Sequence, residues 1–225
     1  MNVVYGQVMP GRFISRPNRF VARVSVGEEE IVCHVKNTGR CRELLLPGAE
    51  VILAKAASEA RRTAYDLAAV YKGDMLVNID SQAPNAVAMD YLSARFPGAN
   101  IRGEVAFGHS RLDFHVLDGD LSLYAEVKGC TLEEDGLALF PDAPTLRGVR
   151  HLETLQEAVL GGHKALMLFI IQMRPVAAFS PHDQMHPAFG QALRNAAGMG
   201  VEVLAYDCFV RENGKSLGEQ VPVAL

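Results

Sequence analysis

Between Glu104 and Lys128 the chain carries Ser110-Arg111-Leu112-Asp113-Phe114 and then Ala125-Glu126-Val127-Lys128. Successive side chains of a strand point to opposite faces, so Glu126 and Lys128 share one face while Ala125 and Val127 occupy the other. Asp113, between the apolar Leu112 and Phe114, falls on a neighbouring strand. A hairpin turning at Asp118-Gly119-Asp120 brings it beside Glu126. Two carboxylates and an ammonium gathered this way suit phosphodiester hydrolysis. Hard oxygen ligands hold Mg2+, or Mn2+ in its place, and the metal polarises a phosphoryl oxygen and lowers the pKa of its bound water. Lys128 orients or deprotonates that water and stabilises the charge that builds on the phosphate. Asp113 and Glu126 are the candidate metal ligands, and Glu104, in the preceding helix or loop, is a candidate third carboxylate. As a bare motif, Asp followed by Glu-x-Lys fits a salt bridge across an exposed hairpin equally well.

The elements that must position these groups are legible in outline. Short β-type runs at 20–26, 31–35, 51–56, 63–70 and 75–79 are separated by turn signals at Gly27, Asn37 to Gly39, Pro47-Gly48 and Gly73. Such a series predicts a small closed or partly closed barrel, the OB-fold among the candidates. Asp80 to Asn85 is a polar, proline-containing break, and an amphipathic helix over 86–96 follows it. Beyond it the pattern becomes mixed α/β. It comprises strands at 112–117 and 121–127, a helix capped by Thr145 and ending at Gly161-Gly162, and a continuous apolar strand at 165–173. A helix over 187–199 and a strand at 201–206 complete it. The fold class is α+β and α/β in two domains: an OB-like barrel over 1–82, and a mixed-sheet α/β sandwich over 83–225.

Composition bounds the answer. Of the 225 residues 49% are hydrophobic and 21% charged, which excludes disordered and fibrous classes. The longest apolar run, Ala165 to Ile171, is far too short to span a bilayer. No export signal opens the chain, and Cys33, Cys41, Cys130 and Cys208 form no Cys-x-x-Cys pair, so reduced thiols in a cytoplasmic protein are expected. The net charge of -4 argues weakly against nucleic acid. Its distribution argues the other way, because residues 1–62 hold ten Lys or Arg against six Asp or Glu. A basic module can grip phosphates by releasing counterions, and an acidic one can collect a divalent metal.

Candidate phosphate contacts are Arg12, Arg16, Arg19, Lys36, Asn37, Arg40, Arg61 and Arg62, with Phe13, Phe20 and Tyr65 as stacking faces unless Phe20 is core. In the loop Asn37-Thr38-Gly39-Arg40, Gly39 permits a tight backbone and Arg40 a bidentate phosphate contact. Arg147, Arg150 and His151 open the helix behind Thr145, where an anion is favoured, although a plain solvated face fits equally. Gln172 ends the apolar strand. His182 and His186 lack the glutamate of a metalloprotease helix and are bracketed by prolines, so zinc is not expected there.

Several of these stretches occur in an order that resembles the sugar fermentation stimulation protein A family. They are Arg19-Phe20, His34 to Arg40, Pro47-Gly48, Ser110 to Phe114, Glu126-Val127-Lys128, Phe140-Pro141-Asp142-Ala143 and Arg147 to Leu152. The resemblance runs almost end to end. It implies an N-terminal OB-like barrel, a C-terminal domain similar to the PD-(D/E)xK nucleases, DNA as ligand and a role in sugar (maltose) metabolism. It places the nuclease-like pattern on Asp113, Glu126 and Lys128, with Glu104 upstream. The chain departs from the family pattern at His186-Pro187 and at Lys36.

Three whole functions follow. One is a DNA-binding protein with a magnesium-dependent nuclease domain. The second is a non-catalytic DNA-binding regulatory module on the same scaffold. The third, sugar binding, ranks last, because the chain has no tryptophan to stack on a sugar ring. No membrane partner or small-molecule ligand is expected, and the residues leave the oligomeric state open.

Overall fold

The computed structural model describes residues 3–37, 39–58 and 60–225. Thr38 of the Asn37-to-Arg40 motif lies outside the described residues.

The chain opens with a short strand, β1 (Val3–Val4), and continues through β2 (Val8–Asn18), β3 (Val21–Val26), β4 (Glu29–His34), β5 (Glu50–Lys55), β6 (Tyr65–Lys72) and β7 (Met75–Asn78). Strands β4, β3, β2, β5 and β6 pair in that order, and a parallel contact between His34 and Asp66 closes them into a five-stranded barrel. β7 extends it as a hairpin partner of β6. Inward-facing Phe13, Ala22, Val24, Cys33, Val51, Leu53 and Leu67 fill the interior. At Gly11 the β2 backbone presses on Val24, where an added Cβ would come within 2.5 Å of a Val24 methyl, so only glycine fits that approach.

The second unit runs α1 (Ala83–Arg95), β8 (Asn100–Phe107), β9 (Ser110–Asp118), β10 (Leu121–Cys130), β11 (Leu132–Glu134), β12 (Leu137–Phe140) and α2 (Leu146–Leu160). It ends with β13 (Lys164–Ile171), β14 (Ala178–Pro181), α3 (Pro187–Gly198), β15 (Glu202–Arg211) and β16 (Gly214–Val221). Its main sheet has seven strands in the order β1-β16-β15-β13-β10-β9-β8, with β13 parallel to both β10 and β15. The first strand of the chain therefore belongs to this sheet and not to the barrel, pairing Val3 with Lys215. A three-stranded sheet, β11-β12-β14, lies alongside.

Alternation along the central strands sorts the core. Leu166, Leu168 and Ile170 of β13 join Val87 and Leu92 of α1 on one face, while Met167 and Phe169 join Leu152 and Leu155 of α2 and Phe189 of α3 on the other. The latter core is continuous with the barrel interior. Polar ties reinforce the junction: Asn78 N–H donates to the Gln172 carbonyl at 2.9 Å, and the Lys36 ammonium reaches Asp80 at 2.9 Å. Asp80 belongs to the polar break that the sequence marks as a boundary, yet it is buried. All four cysteines are free and buried.

Candidate active site and the groove beside it

The antiparallel ladder between β9 and β10 ends at the pair Phe114 and Ala125. One residue further the strands part, and the Asp113 carboxylate fills the gap. Its Oδ2 accepts the Val127 N–H at 2.8 Å and its Oδ1 accepts from the Asn85 side chain of α1 at 3.0 Å. Leu112 packs under α2 while Phe114 packs under α1, so β9 turns over at Asp113. On β10, Glu126 and Lys128 face α2, and the Lys128 ammonium donates to Glu126 Oε1.

His151, buried on α2, contacts the same Oε1 through Nδ1. Its Nε2 receives a hydrogen bond from Arg147 Nε at 3.2 Å. An arginine only donates, so Nε2 is the acceptor and Nδ1 carries the proton given to Glu126, which makes the 3.4 Å approach of the Lys128 ammonium to Nδ1 a contact and not a hydrogen bond. Oε1 is thus bonded twice, while Oε2 of this 2% exposed residue has no partner among the described residues. Burial alone would push Glu126 up, but the hydrogen bonds from His151 and Lys128 outweigh it and hold the carboxyl below its usual range. Asp113 moves the other way, raised by burial and by the neighbouring Glu126 charge. Carboxylates pushed apart in this manner mark sites of acid–base or metal chemistry.

The structure brings Asp113, Glu126 and Lys128 together and leaves Glu104 at the rim. Glu104 lies on β8, not in a helix or loop, with its side chain 66% exposed and 4.0 Å from Arg111. Its φ of 53° bends the strand opposite Asp113. Among the described residues no group of three or more His, Cys, Asp or Glu side chains is arranged to hold a metal. The two-carboxylate pair is what the fold supplies. Asn85 has no sequence signal, because its partner lies 28 residues away on another element. Gln172 is buried, and its Oε1 accepts from the buried Lys215. His115 stacks on Tyr124 with ring centroids 4.1 Å apart, and His182 and His186 contact the Pro141 carbonyl and the Thr145 N–H.

Among the basic candidates, several are structural. Arg16 donates to four backbone carbonyls, those of Arg19, Asn37, Gly39 and Arg40, and so ties these residues together. The Asn37 side chain accepts the Gly39 N–H at 2.7 Å. Lys36 bridges Asp66 and Asp80, and Arg61 forms a two-pronged pair with Asp66. Arg12 contacts the Gly48 carbonyl and Glu50. The side chains of Arg40, Arg62 and Arg150, all exposed residues, have no partner among the described residues, and Arg19 sits over the Phe20 ring at 4.9 Å. Phe20 itself is exposed. It lines, with Val21, Val32, His34, Arg62 and Gln82, a groove of about 800 Å3 on the outer face of β3 and β4, between the β2–β3 and β5–β6 turns.

A family model described as the SfsA N-terminal OB domain matches residues 14–79, and one described as the Sugar fermentation stimulation protein RE domain matches residues 82–214. The chain belongs to the sugar fermentation stimulation protein family. A sugar fermentation stimulation protein homolog from Desulfitobacterium hafniense (strain Y51) is 49% identical over 98% of each chain. One from Ruminiclostridium cellulolyticum is 43% identical over 98% of this chain and 99% of its own. Among solved structures, Pyrococcus furiosus SfsA in complex with Ca2+ superposes with a TM-score of 0.89 at 26% identity, over 100% of both chains. The barrel is the OB domain of this family and the seven-stranded unit its nuclease-like domain. No helix is long and apolar enough to cross a membrane among the described residues.

Proposed function

We propose that this chain binds DNA and hydrolyses its phosphodiester bonds with a divalent cation, Mg2+ or Mn2+, at Asp113 and Glu126. The observation that carries the reading is the buried, unpartnered Glu126 Oε2 beside an Asp113 whose two hydrogen bonds leave further lone pairs on both oxygens. A buried carboxylate oxygen without a partner is costly, and a hard cation satisfies it. Two carboxylates suffice for Mg2+, which keeps several waters and takes further ligands from substrate phosphate. The P. furiosus relative is described with Ca2+, another oxygen-seeking cation.

When bound, the cation lowers the pKa of its water and polarises the phosphoryl oxygen. The chain's own groups do the rest. Lys128 spends one of its three donors on Glu126 and keeps two for a water or a phosphate oxygen. Asn85 and Val127 fix the Asp113 carboxylate. Arg147 holds His151 with Nε, while its terminal nitrogens have no partner among the described residues and suit a backbone phosphate. The groove supports DNA as the ligand, because the outer face of these two strands with its flanking turns is where OB barrels take oligonucleotides. A second reading, a non-catalytic DNA-binding regulatory module, draws on the two-carboxylate count, which is fewer than many metal sites use.

The test is a titration of Mg2+ and Mn2+ into wild type and Asp113→Ala with single- and double-stranded DNA, reading binding and cleavage in parallel. Metal-dependent cleavage lost in the variant, with binding kept, is expected. Cleavage that persists in Asp113→Ala overturns the assignment of the site, and binding without cleavage in either protein leaves the second reading in its place.

A further inference from the structure

We infer that the strand seated in the barrel groove is single, with its bases on Phe20 and its backbone led past Gln82 to Asp113. This rests on the DNA-binding reading above and adds the form of the substrate. Phe20 and Val32 are 45% and 48% exposed, and with Val21 they give the groove an apolar floor. A duplex offers such a floor only phosphates and groove edges, whereas a single strand offers base faces, and stacking on an aromatic ring is the usual way to hold one. Arg19 over the ring is absent from the groove lining, so it steadies Phe20 without blocking it.

The charges agree. Duplex binding leans on many phosphate contacts. Of the cations that line the groove, Lys36 and Arg61 are already committed to Asp66 and Asp80, which leaves Arg62 as the exposed cation there without a partner among the described residues. Affinity must then come largely from bases. The path also continues to the candidate active site. Gln82 lines the groove and immediately precedes α1, and Asn85, about 5 Å further along the helix axis, donates to Asp113.

The experiment uses the full chain in EDTA, so that no cleavage occurs, with a labelled oligothymidylate of about 12 nucleotides, within the reach of one such barrel, and a mixed-sequence duplex of equal length. Wild type should favour the single strand at least about tenfold. Phe20→Ala should weaken single-strand binding by about 5- to 100-fold and leave duplex binding unchanged. The chain has no tryptophan, so Phe20→Trp supplies a single reporter in the groove. Its emission should be quenched by the single strand and not by the duplex. Equal or tighter duplex binding, an unaffected Phe20→Ala, or an unquenched Trp overturns the inference while leaving DNA binding intact. Absence of any DNA binding in wild type overturns the underlying reading as well.

Discussion

His151 of α2 and Glu126 of β10 meet between helix and sheet so that the histidine decides which carboxylate oxygen stays open. Arg147 donates to Nε2, the proton therefore sits on Nδ1, and Nδ1 joins Lys128 on Oε1, leaving Oε2 bare. A partner that orients a metal-binding side chain in this way typically controls 10- to 100-fold in metal affinity or activity. His151→Phe is expected to weaken Mn2+ binding, followed by its electron paramagnetic resonance signal, by about that factor. His151→Asn keeps a donor near Oε1 and should recover part of the loss. Wild-type affinity in both variants would mean that Glu126 orients itself.

Burial and the neighbouring Glu126 charge both raise the pKa of Asp113, so its surroundings disfavour the charged form. A carboxyl with a raised native pKa binds protons more readily folded than unfolded, so stability falls as pH rises from its unfolded pKa through its folded one. Above that window the full cost is present. Asp113→Asn removes the charge, and it keeps the Val127 hydrogen bond through its oxygen and the Asn85 one through its NH2 once the Asn85 amide turns over to accept, so its Tm should exceed that of wild type at pH 7 by about 2–4 °C for each kcal/mol recovered. The gain should vanish in acid, and the variant should no longer take up the divalent cation proposed for this site. A lower Tm at pH 7 would show that the carboxylate stabilises the fold.

How far the sequence reaches is visible in particular residues. Asp113, Glu126 and Lys128 were legible because strand alternation and a hairpin are local rules. The contact of His151 with Glu126 was not, because the helix–sheet packing that makes it depends on the whole core. The Thr145 cap appears as read, its hydroxyl accepting the Gly148 N–H at 3.0 Å. β2 escaped notice because Pro10, Gly11 and Pro17 break the strand pattern; Pro17 falls where β2 shifts register against β3, an irregularity that tolerates proline, while Pro10 pairs with Ile52 of β5. Two residues of β1 carry no pattern at all. Composition showed a basic third but could not separate Arg16, spent on backbone carbonyls, from Arg62, which faces solvent.

That distinction is measurable at Lys36. Burial pushes its pKa down, but Asp80 and Asp66 outweigh it and leave it above the ordinary lysine value, as expected of a cation that ties the barrel to the start of α1. Removing one partner of a buried ion pair costs about 3–5 kcal/mol, less where solvent reaches the head group. Lys36→Gln should therefore destabilise the protein in urea by about 2–3 kcal/mol while leaving the salt dependence of DNA binding unchanged. Arg62→Gln should do the reverse, lowering the log–log salt slope by about 0.7 for a single strand without altering stability. A slope that falls with Lys36→Gln would make it a phosphate contact.

Lys215 is a buried charge outside the candidate site. It sits on β16 with its ammonium on Gln172 Oε1, and burial brings its pKa down to about 8, only partly opposed by Cys208 and Asp80. A lysine whose native pKa is depressed loses its proton folded before it does so unfolded. Stability then rises with pH between about 8 and the ordinary lysine value of 10.5, where the unfolded chain holds the extra proton. Tyr5 and Cys208, both raised by burial, titrate with the opposite sign, so wild type alone does not isolate the lysine. The difference between wild type and Lys215→Met does. At pH 7 the variant gains by losing a buried charge and loses by stranding the Gln172 oxygen, at about 1–3 kcal/mol. Between pH 8 and 10.5 the balance should swing toward wild type by an amount on the order of 3 kcal/mol. A difference that stays flat across that range would place the Lys215 ammonium in contact with solvent.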